Sequence, residues 1–182
     1  MAKSQTESRS RNIVLIGFMG VGKTSVGKLL ARSLGFEFVD TDSIIVRRSG
    51  KPITEIFAEI GESGFRDIES SILAELAGRS GTVIATGGGI VTREANIERL
   101  HAAGLVVWLD ATADAIFERV SGNNERPLLQ TDDPLATIRD LLDKRRPLYE
   151  RAADQRVETG GLDSGELAYG IAESARLWFS TN

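Results

Sequence analysis

The sequence predicts an α/β protein of three layers, a parallel sheet with helices packed on both of its faces. Three observations carry that reading. Short apolar runs alternate with amphipathic stretches along the chain, which is the order of strand and helix in a parallel sheet. The early runs are continuously apolar rather than alternating, as strands buried on both faces must be. The first run passes through a glycine-rich turn into a helical pattern, the local architecture of an anion-binding site in this fold class. At 182 residues with 41% hydrophobic and 26% charged side chains, the chain has enough apolar material for one sizeable core and is not of disordered composition.

Taken in order, Ile13 to Ile16 is the first strand, and Lys23 to Leu34 the first helix, with Val26, Leu29 and Leu30 on one face. Glu37 to Asp40 is a second strand. Ser43 to Ser49 predicts a short helix, Pro52 opens another that runs to about Glu62, and a longer helix follows from Gly64 to Ala77. In that last helix Phe65, Ile68, Ile72, Leu73 and Leu76 recur at spacings of three and four. Thr82 to Ala85 is the third strand and runs into Gly87-Gly88-Gly89. A helix over Arg93 to Ala103, a fourth strand over Leu105 to Leu109 and a helix over Thr112 to Ser121 come next. Gly122 to Pro134 has no apolar period and is rich in Gly, Asn, Pro and Asp, which predicts a mobile lid. The chain closes with a helix over Pro134 to Ala152, a strand over Arg156 to Thr159 and a helix over Ser164 to Trp178. Residues 1–11 are too polar to pack and are expected to be a disordered tail, leaving 12–182 as a single domain.

Composition removes several classes of chemistry. A net charge of −4 argues against a nucleic-acid binder. With no cysteine, disulfides, thiolate metal sites and cysteine nucleophiles are excluded, and a single histidine, His101, leaves no cluster of imidazole ligands. Its setting at a helix end reads as an ordinary surface position. No apolar run reaches the ~20 residues that cross a bilayer, and the start of the chain has no apolar signal segment, so a cytoplasmic location with no membrane partner is expected.

The sharpest motif is Gly17-Phe-Met-Gly20-Val21-Gly22-Lys23-Thr24, a phosphate loop placed between a strand and a helix, where its mechanism requires it. Its glycines let backbone N–H groups wrap phosphates, Lys23 would bridge the β- and γ-phosphates, and the Thr24 hydroxyl would ligate Mg²⁺. The third strand ends without an acid, so a metal-side carboxylate must come from elsewhere. Asp40-Thr41-Asp42 lies at the carboxyl edge of the sheet, where open α/β folds bind ligands. The same triplet could equally start a helix, with Asp42 or Ser43 as its cap. Arg66 and Glu69 sit three apart on a helix, as a surface ion pair would. Gly87-Gly88-Gly89 permits close approach of a ligand or is a flexible turn. Arg126-Pro-Leu-Leu puts a cation on the expected lid, and Lys144-Arg145-Arg146 is a basic run of the kind that is usually solvated.

From Asn12 to Thr159 these motifs, in this order, resemble the shikimate kinase family, a branch of the nucleoside monophosphate kinase group. The resemblance rests on the phosphate loop with its following Ser25, Asp40-Thr-Asp42, Phe65-Arg66-x-x-Glu69, the triple glycine, Arg126-Pro-Leu-Leu and Arg145-x-Pro-Leu-Tyr149. It implies a P-loop kinase fold with a five-stranded parallel sheet in the order 2-3-1-4-5, and transfer of the ATP γ-phosphate to the 3-hydroxyl of shikimate on the way to chorismate. By the same resemblance Gly20, Val21, Gly22, Lys23, Thr24 and Ser25 hold the nucleotide with Arg126, and Arg119 lies near adenine. Arg66 and Arg145 grip the shikimate carboxylate, the Gly88 N–H contacts the substrate, and Glu69 orients Arg66. Asp42 binds the ring hydroxyls and is the candidate base, while Asp40 lies near the Mg²⁺ shell. After Thr159 no residue aligns with those that some relatives place against adenine. A monomer is expected. A kinase for another polyol acid such as gluconate shares the ATP half, and a silent nucleotide-binding module shares the fold; Asp42, Arg66, Gly88 and Arg145 are the residues that separate them.

Overall fold

The computed structural model describes residues 10–121 and 131–181. Most of the expected tail, most of the expected lid and Arg126 lie outside these residues. The described strands are β1 (Ile13–Ile16), β2 (Glu37–Asp40), β3 (Thr82–Ala85), β4 (Leu105–Asp110) and β5 (Gln155–Glu158). They form one parallel sheet in the order β2-β3-β1-β4-β5, with Leu15 in register with Ala85 on one side and Val107 on the other. The helices are α1 (Lys23–Leu34), α2 (Thr41–Ser49), α3 (Ile53–Leu76), α4 (Glu94–Ala103), α5 (Ala113–Val120), α6 (Pro134–Ala152) and α7 (Ser164–Thr181).

The strands divide the core by parity, because successive side chains leave opposite faces of a strand. Ile13, Leu15, Val83, Leu105, Val107 and Leu109 point to one face, where they meet Leu30 of α1, Ile116 of α5 and Ile171 of α7. Val14, Ile16, Ile84, Val106 and Trp108 point to the other, against Ile45 of α2, Leu73 of α3 and Leu100 of α4. Every residue of β1, β3 and β4 is buried, which explains why all but Thr82 and Asp110 are apolar; the larger aliphatic side chains matter most. Each such side chain contributes roughly 1.5–3 kcal/mol of transfer free energy. β5 alternates because it is an edge strand. Helix α6 serves both cores: Ile138 and Leu142 pack on the first, Tyr149 and Ala152 on the second.

Some boundaries differ from the sequence reading for local reasons. Helix α2 starts at Thr41 rather than Ser43, since Asp40 itself is the cap; its Oδ1 accepts from the backbone N–H groups of Asp42 and Ser43 at 3.0 and 3.2 Å. Neither Asp42 nor Ser43 caps it. The two helices expected around residue 63 form one run, α3, broken at Gly61, whose φ of 70° and ψ of 177° are open to glycine alone. Nothing crowds a Cβ there, so the glycine serves conformation. His101, expected at the surface, is half-buried, with Nδ1 3.8 Å from Asp154 Oδ1.

Candidate active site

All the motif residues among those described gather at the carboxyl edge of β2, β3 and β1, three adjacent strands. A cavity of about 560 Å³ opens there, lined by Gly20 to Val26, Asp40, Asp42, Thr86, Gly88 and Arg119. The loop after β1 turns at Gly22, whose φ of 96° is left-handed and which ends the loop without a side-chain cap on α1. A glycine-led helix start of this kind aims its first-turn N–H groups and the positive end of the helix dipole at an anionic ligand. Lys23 Nζ donates to the carbonyls of Gly17 and Phe18 at 2.7 and 2.8 Å, folding back over its own loop.

The Thr24 hydroxyl donates to Asp40 Oδ2 at 2.8 Å. Asp40 therefore uses one oxygen to start α2 and the other to reach the phosphate loop. One hydroxyl and one carboxylate make a sparse donor set, suited to Mg²⁺, which keeps most of its shell as water and phosphate oxygens. Among the described residues no group of three or more acidic or imidazole side chains is arranged to hold a metal.

On the acceptor side the site is built from buried charge. Arg66 and Glu69 are 7% and 1% exposed, so this is no surface ion pair. Arg66 Nη1 donates to Glu69 Oε2 at 2.6 Å and Nη2 to Glu62 Oε1 at 2.9 Å. The guanidinium also lies over Phe65 and Phe57, its Cζ 5.6 and 5.9 Å from their centroids. Burial lifts the Glu69 carboxyl above its ordinary range, against the pull of Arg66 and Arg145 and with the push of Asp42. Burial works against the Arg66 charge as well, but Glu69 and Glu62 outweigh it and the group stays a cation. Glu69 Oε1 and Arg66 Nε find no hydrogen-bond partner among the described residues.

None of the three glycines has a left-handed φ; what each spares is steric room. A Cβ on Gly87 would sit 2.0 Å from Glu69 Oε1 and 3.0 Å from Asp42 Oδ1. One on Gly89 would sit 2.1 Å from Arg66 Cζ, and one on Gly88 would press on the Met19 N–H of the phosphate loop at 3.2 Å. The turn is thus clamped between the acceptor-side charges and the nucleotide loop. Thr41, between the two aspartates, accepts from the Gly87 N–H at 3.1 Å and so ties β2's end to the turn.

The basic run of α6 divides as a helix must. Lys144 is exposed, Arg146 reaches Asp110 at 3.4 Å, and Arg145 is 5% exposed, with Nη1 3.4 Å from the Gly88 carbonyl and Cζ 5.5 Å from the Phe18 ring centroid. Arg119 donates to Thr159 Oγ1 at 3.2 Å and to the Gly20 carbonyl at 3.4 Å, beside the cavity wall that Leu162, Asp163 and Ser164 complete. Asp163 accepts from the N–H of Glu166 while Glu166 accepts from the N–H of Asp163, a reciprocal cap that fixes this wall at the start of α7. Sequence reasoning had not assigned Thr41, Phe18, Tyr149 or Glu62; the last two stand four residues from Arg145 and Arg66, the one available signal.

A family model described as shikimate kinase matches residues 19–176. A shikimate kinase of Thermodesulfovibrio yellowstonii is 51% identical over 158 residues, 87% of this chain and 91% of that one. One of Halorhodospira halophila is 46% identical over 174 residues, covering 96% and 97%. Among solved structures, shikimate kinase from Acinetobacter baumannii in complex with shikimate superposes with a TM-score of 0.88 at 42% identity, covering 91% of this chain and 92% of that one. A gluconokinase from Sinorhizobium meliloti, at 18% identity and a TM-score of 0.58 over 96% and 99% of the two chains, shares the fold alone.

Proposed function

This chain belongs to the shikimate kinase family, and from that premise we propose how its own residues carry a phosphoryl group from ATP to the 3-hydroxyl of shikimate. Arg66 and Arg145 bind the substrate carboxylate through their planar guanidinium forks, and the Gly88 N–H adds a further contact. Asp42 accepts hydrogen bonds from the ring hydroxyls and takes the proton of the attacking one. As the new O–P bond forms, the bond from the γ-phosphorus to the β-phosphate oxygen breaks, leaving ADP.

On the nucleotide side, Gly20, Val21, Gly22 and Ser25 cradle the phosphates while Lys23 swings from the carbonyls of Gly17 and Phe18 to the β- and γ-phosphates. Arg119 borders the adenine side, and Arg126 is assigned to the phosphates by its Arg-Pro-Leu-Leu motif. Thr24 would hold Mg²⁺ directly and Asp40 through water; the ion would neutralise charge developing on the phosphate oxygens. The same reading takes residues 12–182 as one catalytic domain, working in the cytoplasm as a monomer, since both halves of the described site come from one chain.

The observation that supports it most is the clamped glycine turn, which brings two buried arginines and Asp42 to within one residue of the phosphate loop. An assay of ADP release with ATP and Mg²⁺, comparing shikimate, gluconate and no acceptor, tests it. Turnover with shikimate alone is expected; equal turnover with gluconate would overturn the acceptor assignment while leaving the nucleotide half intact.

A further inference from the structure

The geometry points to Tyr149 as a positioning residue for shikimate binding: its hydroxyl takes the nearer of two bonds to the Gly88 carbonyl and so weakens the hold of that oxygen on the Arg145 guanidinium, which stays available to the substrate carboxylate. Tyr149 is completely buried and, among the described residues, is the largest of the fully buried side chains. A phenol in the interior must find a hydrogen-bond partner, and this one donates to the Gly88 carbonyl from 2.5 Å. Arg145 reaches the same oxygen from 3.4 Å, the far limit of a hydrogen bond. The two donors stand one helical turn apart on α6 and converge on one acceptor.

The ring of Tyr149 is held from the sheet side. It stacks on Trp108 of β4 at 5.7 Å and 24°, and Arg156 covers that indole with its Cζ 4.8 Å from the Trp108 centroid. Arg156 is itself fixed by Asp110 at 2.8 Å. The hydroxyl is therefore placed by β4 and β5, independently of the substrate. Burial keeps the hydroxyl protonated, its pKa pushed up to about 12 against the charge and the hydrogen bond of the neighbouring Arg145. Without that hydroxyl, Arg145 is the remaining described donor to the Gly88 carbonyl, and the guanidinium is drawn from the substrate onto the protein.

This inference rests on the proposed placement of the shikimate carboxylate at Arg145. Tyr149→Phe removes the hydroxyl and keeps the stacked ring. The expected result is a rise in the shikimate KM of roughly fivefold, the worth of one neutral hydrogen bond, with kcat and the ATP KM within about twofold of wild type. In an Arg145→Ala background the same change should alter the shikimate KM by less than about twofold, because the arginine it spares is gone. A tyrosine that merely stabilises the fold would lower Tm and leave that KM split unmoved. An unchanged shikimate KM in Tyr149→Phe, or an equal effect in both backgrounds, overturns the inference. If Arg145→Ala keeps the wild-type shikimate KM, the underlying placement of the carboxylate falls with it. Should Tyr149→Phe not fold, Trp108→Phe displaces the ring instead; a shikimate KM equal to wild type in that variant overturns the inference too.

Discussion

The nucleotide half and the acceptor half of this cleft are made of different material. The phosphate loop is built from backbone, a left-handed glycine and an uncapped helix start, and its Thr24 and Ser25 are exposed. The acceptor side is built from side chains, with Arg66, Glu69 and Arg145 buried and the two arginines lying over aromatic rings. Phosphates are alike in every nucleotide, so a conserved-geometry backbone nest suffices to hold them. One polyol acid must be told from another, and that requires fixed charges in a site with little water, whose desolvation is offset only by partners such as Glu69 and Glu62.

If the halves differ in this way, their substitutions should fail differently. The largest effect belongs to chemistry shared by both: Asp42→Asn is expected to lower kcat by about 10³, within the range for loss of a general base, with ADP affinity unchanged by calorimetry. Equal loss of ADP affinity would remove Asp42 from the acceptor side. Next in size, Glu69→Ala leaves Arg66 buried with only the half-exposed Glu62, and should cost about 3 kcal/mol of stability in denaturant titrations, whereas Thr24→Ala at the exposed loop should cost less than about 1 kcal/mol. Similar losses at both positions would erase the contrast. Gly89→Ala, whose Cβ would strike the Arg66 guanidinium, is expected to raise the shikimate KM roughly tenfold through the displaced fork and to leave the ATP KM alone; wild-type kinetics would show that Arg66 can yield without consequence.

The smallest effect is one of pH. Burial raises the Glu69 carboxyl above its ordinary 4.5. A carboxyl with a higher pKa folded than unfolded contributes stability that is whole below 4.5 and is lost as pH rises through the folded value. Wild type should therefore lose stability relative to Glu69→Gln over that interval, read from denaturant midpoints at a series of pH values. Parallel pH dependences for the two proteins would contradict the direction of the shift.

The same difference decided what the sequence disclosed. A phosphate loop is a local pattern, so Gly17 to Thr24 was legible with its strand before and helix after. So were the three inner strands, because burial on both faces leaves a nearly continuous apolar signature; the order of all five came only through family resemblance, since strand spacing carries no lateral information. On the acceptor side the residue types were visible but their burial was not. Arg66-x-x-Glu69 reads as an ordinary surface pair, though both members are buried, and Lys144-Arg145-Arg146 reads as solvated until the helical phase buries its middle member. Tyr149 and Thr41 act through long-range contacts, to Gly88 and Gly87, that no local period announces.

The division between the halves is tested most directly by titrating shikimate and ADP separately into Arg145→Ala and into wild type by calorimetry. The expected result is shikimate affinity reduced by tenfold or more, about 1.4 kcal/mol or greater, with ADP affinity within about twofold of wild type. A variant in which both affinities fall together, or in which shikimate binding is untouched, would contradict it.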